Sequence, residues 1–322
     1  MDFNKFKDKK IVVLGDMIAD EYIYGETARI SREAPVLILE QQHQEIRPGG
    51  AANVVANIKA MGGQPIPVGA VGGDDYGGYI WEYFRNNDIS TQGLKIDEYK
   101  GHRTIVKTRL MAGSHNTVCQ QVLRLDRKQD ELRIQVRAAM EEEFYNLLKS
   151  ADALVISDYG EGTIQDHIIS NLHRLPAAVP IIVDSRYRIG SFEGCHTLIP
   201  NVDEIRAATL NNNIGVAITN LLERTRAANV LLKQGKNGIT FASVFASVGE
   251  DRFSIDAYGP DEVADVTGAG DTVLAAYTLG MLSDPNNLYD AAQLANLAGG
   301  IQVTKSGTAT VSLDELKTHW EQ

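Results

Sequence analysis

Apolar positions along this chain fall into short unbroken runs that alternate with longer stretches at helical spacing. The runs at 11–14, 66–71, 153–157 and 181–184 are apolar and bounded by Gly, Pro or Asp, which predicts buried strands. The stretches 51–61, 76–87, 135–150, 164–175, 203–209, 215–228, 272–282 and 288–303 predict helices. A short strand is expected at 198–200, and 229–234 and 238–245 read as a strand pair. Strands alternating with helices through 150–303 imply a mostly parallel sheet covered on both faces, a three-layer α/β/α arrangement. Two regions depart from that pattern, roughly 17–45 and 100–125. Their strand-like segments, 22–24, 36–42, 104–110 and 118–125, mix β-branched, aromatic and polar residues. Together they predict a small second sheet that projects from a single domain spanning 1–322. With one wet and one apolar face, such a sheet suits a lid or a dimer surface. No internal repeat or low-complexity segment appears.

Composition narrows the function classes. The 322 residues are 43% hydrophobic and 23% charged, enough for a full core. A net charge of −11 argues against nucleic acid as a partner. Cys119 and Cys195 are far apart and form neither a disulfide framework nor a zinc motif. No signal-peptide run follows the N-terminal lysines, and no stretch approaches a membrane span, so a cytoplasmic protein is expected.

Candidate chemistry concentrates at DVTGAGD, residues 265–271. Gly268, Ala269 and Gly270 precede Asp271 and an apolar run. If that run is a helix, its first N–H groups form an anion cradle beside a carboxylate. That pairing suits proton abstraction from a hydroxyl while the cradle holds phosphate charge. A Gly-rich loop with an Asp helix cap is the plainer alternative. Asp16 follows the first strand and Asp20 lies four residues on. Asp16 is placed either to bind a polyol or simply to make a turn. Gly49 and Gly50 precede a helix that carries Asn53, whose amide suits a sugar hydroxyl. Asn201 and Glu204 share a helix face and can serve Mg²⁺ through water, or form a capping box. Lys233, Gly235 and Gly238 lie in a turn that suits a ring or a phosphate, or an ordinary hairpin. P-loop, zinc-protease and hydrolase-elbow motifs are absent.

GGAAN at 49–53, NVDE at 201–204 and DVTGAGD at 265–271, in this order, resemble the signatures of the ribokinase-like (PfkB) carbohydrate kinase family. The resemblance covers nearly the whole chain and is greatest to heptose 7-phosphate kinases. It is carried by residues 15–36, 47–63, 120–126, 157–162 and 305–316. It implies ATP as phosphoryl donor, Mg²⁺, and a monovalent cation such as K⁺. It further implies phosphorylation of the anomeric hydroxyl of D-glycero-D-manno-heptose 7-phosphate, with ribose, fructose or a nucleoside as alternative acceptors. A sensor on the same scaffold is the non-catalytic alternative. Asp271 would be the general base, with Gly268, Ala269 and Gly270 holding the transferring phosphoryl. Asn201 and Glu204 would organise Mg²⁺, and Lys233, Gly235, Gly238 and Asn296 would line the ATP cleft. Asp16, Asp20, Gly49, Gly50, Asn53, Arg109 and Arg186 would meet the sugar. Asp265, Val266 and Ser306, in the loop 306–308, are candidates for the monovalent cation. A homodimer through the projecting sheets is expected. Bifunctional relatives carry a nucleotidyltransferase domain after the kinase; with the chain ending at Gln322, that second activity is not expected.

Three segments depart from the heptose-kinase pattern. SDYGEG at 157–162 has Glu161 where a lysine is usual, and 184–187 read DSRY in place of DPKG. Arg32 stands where a proline is usual. A carboxylate beside a phosphate dianion repels it, so Arg186 or Arg188 is expected to compensate.

Overall fold

The computed structural model describes residues 1–99, 102–113, 119–128, 131–176, 178–244, 252–259 and 264–321. The ends of two expected strands, at 118 and 245, lie outside the described residues, as does part of the region 100–125.

The main sheet is built from β1 (Lys10–Gly15), β4 (Gln64–Gly72), β5 (Leu94–Asp97), β8 (Ala153–Asp158), β9 (Ile181–Ser185), β10 (Thr197–Leu198), β11 (Asn229–Lys233), β12 (Ile239–Ser243) and β13 (Arg252–Ile255). Their order is β13-β12-β11-β10-β9-β8-β1-β4-β5. Pairing is parallel from β5 across to β11 and antiparallel for β12 and β13. The unbroken apolar runs follow from cover on both faces. Ile11 and Val13 pack into one core, with Ala153 and Val155. Their neighbours Val12 and Leu14 pack into the other, with Leu154 and Ile156. Helices α1 (Ala51–Ala60), α7 (Ala269–Ser283), α8 (Leu288–Gln302) and α9 (Leu313–Trp320) contribute to the first core. Helices α3 (Ile134–Leu148), α4 (Asp166–Asn171), α5 (Val202–Thr209) and α6 (Ile214–Thr225) contribute to the second. A further helix, α2 (Asp75–Asn86), connects β4 to β5.

The second sheet is present, in the order β3-β2-β6-β7. Its strands are β2 (Met17–Ile30), β3 (Leu37–Gly50), β6 (Ile105–Gly113) and β7 (Gln120–Arg127). Only Asp16 separates β1 from β2, so the second sheet springs from the carboxyl end of the first strand. At 14 residues each, β2 and β3 are far longer than the short segments expected at 22–24 and 36–42. Most of β3 is exposed or half-buried, so it carries no apolar alternation to read. Among the strands and α-helices of the described residues, three were not anticipated: β5, β13 and α9. The last has a readable signal, the capping box of Ser312 and Glu315.

Candidate active site

Helix α7 starts at Ala269, three residues earlier than the apolar run suggests, because Gly268 adopts φ +83° as its N-cap. A side chain at 268 would also meet Asn53 Nδ2 at 2.7 Å. Glycine is therefore needed there for both backbone and space. Asp271 falls in the first turn and is 4% exposed. Asn53 Nδ2 donates to its Oδ2 at 2.9 Å, and the Tyr159 hydroxyl donates to its Oδ1 at 2.8 Å. Burial pushes the Asp271 carboxyl up to about 7. The Asn53 and Tyr159 hydrogen bonds pull against that rise, and the Asp184 and Asp20 carboxylates add to it. Burial, then Asp271, holds the Tyr159 phenol well above its ordinary value, so it remains a donor. The result is an oriented carboxylate that exchanges a proton near neutrality.

Beside it lies a cavity of about 430 Å³ at the carboxyl ends of β8, β9 and β11, lined by Asp184, Arg186, Asn201, Glu204, Lys233, Gly235, Val266 and Gly270 among others. Ligands in open parallel sheets bind at this end. Lys233 pairs with Asp184, and its Nζ stands 3.5 Å from where a Gly270 Cβ would be. Burial disfavours the Lys233 charge, but the Asp184 and Glu204 carboxylates outweigh it and raise its pKa. An ammonium and the start of a 15-residue helix thus face one space, which is an anion cradle. Of the two readings of Asn201 and Glu204, the structure shows the capping box, on α5. Both residues also line the cavity. Burial, then the Asp184 carboxylate, pushes Glu204 up to about 7. No group of three or more metal-ligating side chains occurs among the described residues. Two carboxylates on one wall still fit Mg²⁺, which keeps waters and shares its remaining ligands with phosphates.

Other expected residues take different places. Asp16 is fully buried, and its carboxylate accepts the N–H groups of Tyr159, Glu161 and Thr163 at 2.8, 3.2 and 3.1 Å. It shapes the loop that carries Tyr159 instead of offering free oxygens to a sugar. Asp20 and Arg109 face each other in a buried ion pair at 2.8 Å. Gly49 lies against the Asp20 carboxylate, where a Cβ would come within 2.5 Å of Oδ2, and Gly50 is the N-cap residue of α1. Arg188 does not compensate for Glu161. It pairs with Asp158 at 2.8 Å and with Asp166 at 2.9 Å, so its charge is already matched. Gly238 packs on the backbone of 255–257, and Asn296 donates to the Asp256 carbonyl at 2.7 Å. Neither lines the cavity.

The expected monovalent-cation residues lie on two loops that are joined by hydrogen bonds. Asp265 accepts the N–H groups of Thr267 and Gly307, each at 2.9 Å. The Ser306 carbonyl takes the Arg47 guanidinium at 2.5 Å, and the Val266 side chain is exposed. Gln302 Nε2 donates to the carbonyls of Thr267 and Gly307, joining the same two loops. These hydrogen bonds tie the loop at 265–267 to the loop at 306–308.

Three residues were missed as site residues: Tyr159, Asp184 and Lys107. Tyr159 and Asp184 had a usable signal, since both lie at the carboxyl ends of parallel strands. Lys107 sits on β6 with its Nζ 4.1 Å from the Tyr159 ring centroid, and nothing in its local sequence marks it.

The fold and this site define a phosphotransferase that acts on a sugar hydroxyl. The pfkB family carbohydrate kinase signature matches residues 8–316, and the chain belongs to that family. It is 34% identical to the bifunctional protein HldE of Hyphomonas neptunium over 96% of this chain and 63% of that protein. It is 35% identical to the HldE of Koribacter versatilis over 97% of this chain and 63% of that protein. The chain thus spans about 63% of the length of these relatives. Among solved structures, phosphofructokinase-2 from Escherichia coli in complex with substrates and products superposes with TM-score 0.79 at 18% identity, covering 97% of this chain and 98% of that one. Arabidopsis thaliana ribokinase complexed with ribose and ATP gives TM-score 0.76 at 17% identity, covering 98% and 99%. These two likenesses establish the fold. No described helix is long and apolar enough to cross a membrane.

Proposed function

We propose that this chain is an ATP- and Mg²⁺-dependent kinase for O1 of D-glycero-D-manno-heptose 7-phosphate. The observation that carries the reading is Asp271, a buried carboxylate held by Asn53 and Tyr159 at the N-terminus of α7. The HldE relatives support the choice of sugar. The donor nucleotide would supply the phosphoryl group, and Glu204, with Asp184 nearby, would hold Mg²⁺, which would supply charge neutralisation. In this reading Asp271 takes the proton of the accepting hydroxyl, and the N–H groups of 268–270 with Lys233 hold the anionic charge. Gly235 lines the path of the nucleotide, with Gly238 and Asn296 further along. Asp16 acts through the Tyr159 loop, Asp20 and Arg109 support the sugar side, and the second sheet closes over the site to exclude water. No step is assigned to a monovalent cation. Incubation with ATP, Mg²⁺ and the heptose 7-phosphate, followed by ³¹P NMR, is expected to show a new anomeric phosphate. A phosphate at another position would discard the O1 assignment.

The apolar face of the second sheet leaves Ile30, Leu37, Leu123 and Leu125 more than half exposed, at 65, 53, 58 and 62%. This supports pairing of two copies through these faces. A monomeric mass by light scattering at micromolar concentration would count against it.

The pH dependence follows from Asp271. As a base it works ionised, so kcat is expected to fall as pH drops through about 7. Glu204 also titrates near 7, so the wild-type profile alone does not separate the two. Tyr159→Phe does. It removes a donor that favours the Asp271 carboxylate, so the acidic limb is expected to move to higher pH. A kcat–pH profile with an unmoved limb would assign the limb to another group.

A further inference from the structure

Tyr159 is held from three separate elements. Its backbone N–H donates to the Asp16 carboxylate, just after β1, at 2.8 Å. Its hydroxyl donates to Asp271 Oδ1, in the first turn of α7, at 2.8 Å. The face of its ring meets Lys107, whose Nζ stands 4.1 Å from the centroid. Lys107 comes from the second sheet, on β6, where it is the register partner of Asp20 on β2. It is 7% exposed, so its ammonium has largely given up water. Asp20 and Asp271 attract its charge and Arg124 and Arg186 repel it, while the Tyr159 ring is its close contact. A cation over an aromatic face is held there by the ring's charge distribution. The same charge draws density from the phenol oxygen and makes the O–H a stronger donor. The backbone bond to Asp16 places the loop but not the direction of the ring, which turns about its own side-chain bonds.

We propose that Lys107 is a positioning residue for the phosphoryl transfer: standing over the Tyr159 ring, it fixes the phenol that donates to Asp271. This rests on the kinase reading above. In this role Lys107 acts on the proton acceptor through one aromatic ring and needs no contact with either reactant. Because it belongs to the second sheet, the orientation of the acceptor depends on where that sheet lies, and not on the main domain alone. A sheet displaced from the site takes the ammonium off the ring, loosens the phenol and leaves Asp271 with the Asn53 donor. The polar and charged groups that act on Asp271 are Asn53, Tyr159, Asp184, Asp20, Lys233 and Lys107. Lys107 therefore favours the carboxylate in two separable ways, directly by its charge and indirectly by way of the phenol. Only the second needs the Tyr159 hydroxyl.

The test is a double-mutant cycle on the full chain, in which wild type, Lys107→Met, Tyr159→Phe and the double variant are compared in ADP release with heptose 7-phosphate, with Lys107→Arg alongside. Below the acidic limb, at about pH 6, Lys107→Met is expected to lower kcat about 2- to 30-fold, the usual worth of a cation–π contact. The same substitution made in Tyr159→Phe should cost clearly less, because no hydroxyl is left to position; what remains measures the direct effect of the charge. KM for ATP should stay near wild type. Lys107→Arg, which keeps a cation over the ring, should recover part of the loss. Where Lys107→Met does not melt cooperatively, Lys107→Gln takes its place. NMR of protein carrying ¹³C-tyrosine gives a readout that needs no activity. The Tyr159 ring signal, assigned by its loss in Tyr159→Phe, should move in Lys107→Met and lie nearer to wild type in Lys107→Arg. Equal losses of kcat in the two backgrounds, an effect confined to KM for the sugar, or an unmoved Tyr159 signal overturns the proposal while leaving the kinase reading intact. Absence of sugar-dependent ADP release from wild type overturns the kinase reading itself, and the tyrosine spectra then decide whether Lys107 holds the ring.

Discussion

Asp271→Asn is expected to lower kcat by about 10²- to 10⁴-fold, the usual worth of a general base, while ATP binding stays close to wild type. The amide retains the shape and an oxygen acceptor, so the helix start and the Asn53 and Tyr159 side chains have little reason to move. The loss falls on proton transfer alone. A second readout checks that the fold is intact. The Asp271 carboxyl is raised by burial from 3.8 to about 7 in the folded state. Between those values the folded protein holds a proton that the unfolded chain releases. Its contribution to stability is therefore full below about pH 3.8 and lost as pH rises through about 7. Above neutrality the ionised, buried carboxylate is destabilising, so Asp271→Asn should melt above wild type at pH 8, with the gap narrowing at pH 5. Near-wild-type turnover in this variant would remove Asp271 from the mechanism.

Asp20→Ala is expected to destabilise the protein by about 3–5 kcal/mol, because it strands the Arg109 charge where neither partner reaches water. The two side chains are 7% and 4% exposed, and the pair ties β2 to β6. Neighbouring contacts extend the same seam to the loop at 306–308. Tyr22 lies 5.1 Å from Arg109 and 5.4 Å from Arg47, and its hydroxyl accepts the Thr308 N–H at 2.9 Å. Replacing both charges, Asp20→Ala with Arg109→Met, should restore much of the stability, since a buried pair is often no better than an apolar isostere. If the pair also supports the sugar, the double variant will fold and still bind it weakly. Denaturant midpoints report the first effect and sugar KM the second. An unchanged midpoint for Asp20→Ala would mean that the pair does not hold the sheet.

The fold was legible where burial on two faces writes itself as unbroken apolar runs. β1 and β8 are the clearest cases, each feeding alternate residues to opposite cores. It was illegible where packing leaves no period. β3 is mostly exposed, and β13 is four residues long and half-buried at best. At the site, DVTGAGD disclosed the anion cradle and the carboxylate because local chain geometry alone makes both. Asn53 was legible as a site residue but not in its partner, which comes from 218 residues away. Asp16 shows the same limit. Its position after β1 marked it, but its three backbone partners belong to a loop more than 140 residues on. Lys107 was invisible because its place against the Tyr159 ring joins two separate elements, which only the assembled structure displays.

The central claim is sugar-dependent phosphoryl transfer at Asp271. It is tested most directly by ADP release from the purified protein with ATP and Mg²⁺, comparing heptose 7-phosphate, unphosphorylated heptose, ribose, fructose and no sugar. The account expects ADP release that depends on added sugar, is greatest with heptose 7-phosphate, and is abolished or nearly so in Asp271→Asn. ATP binding without any sugar-dependent ADP across the panel would contradict it and favour a sensor on the kinase scaffold.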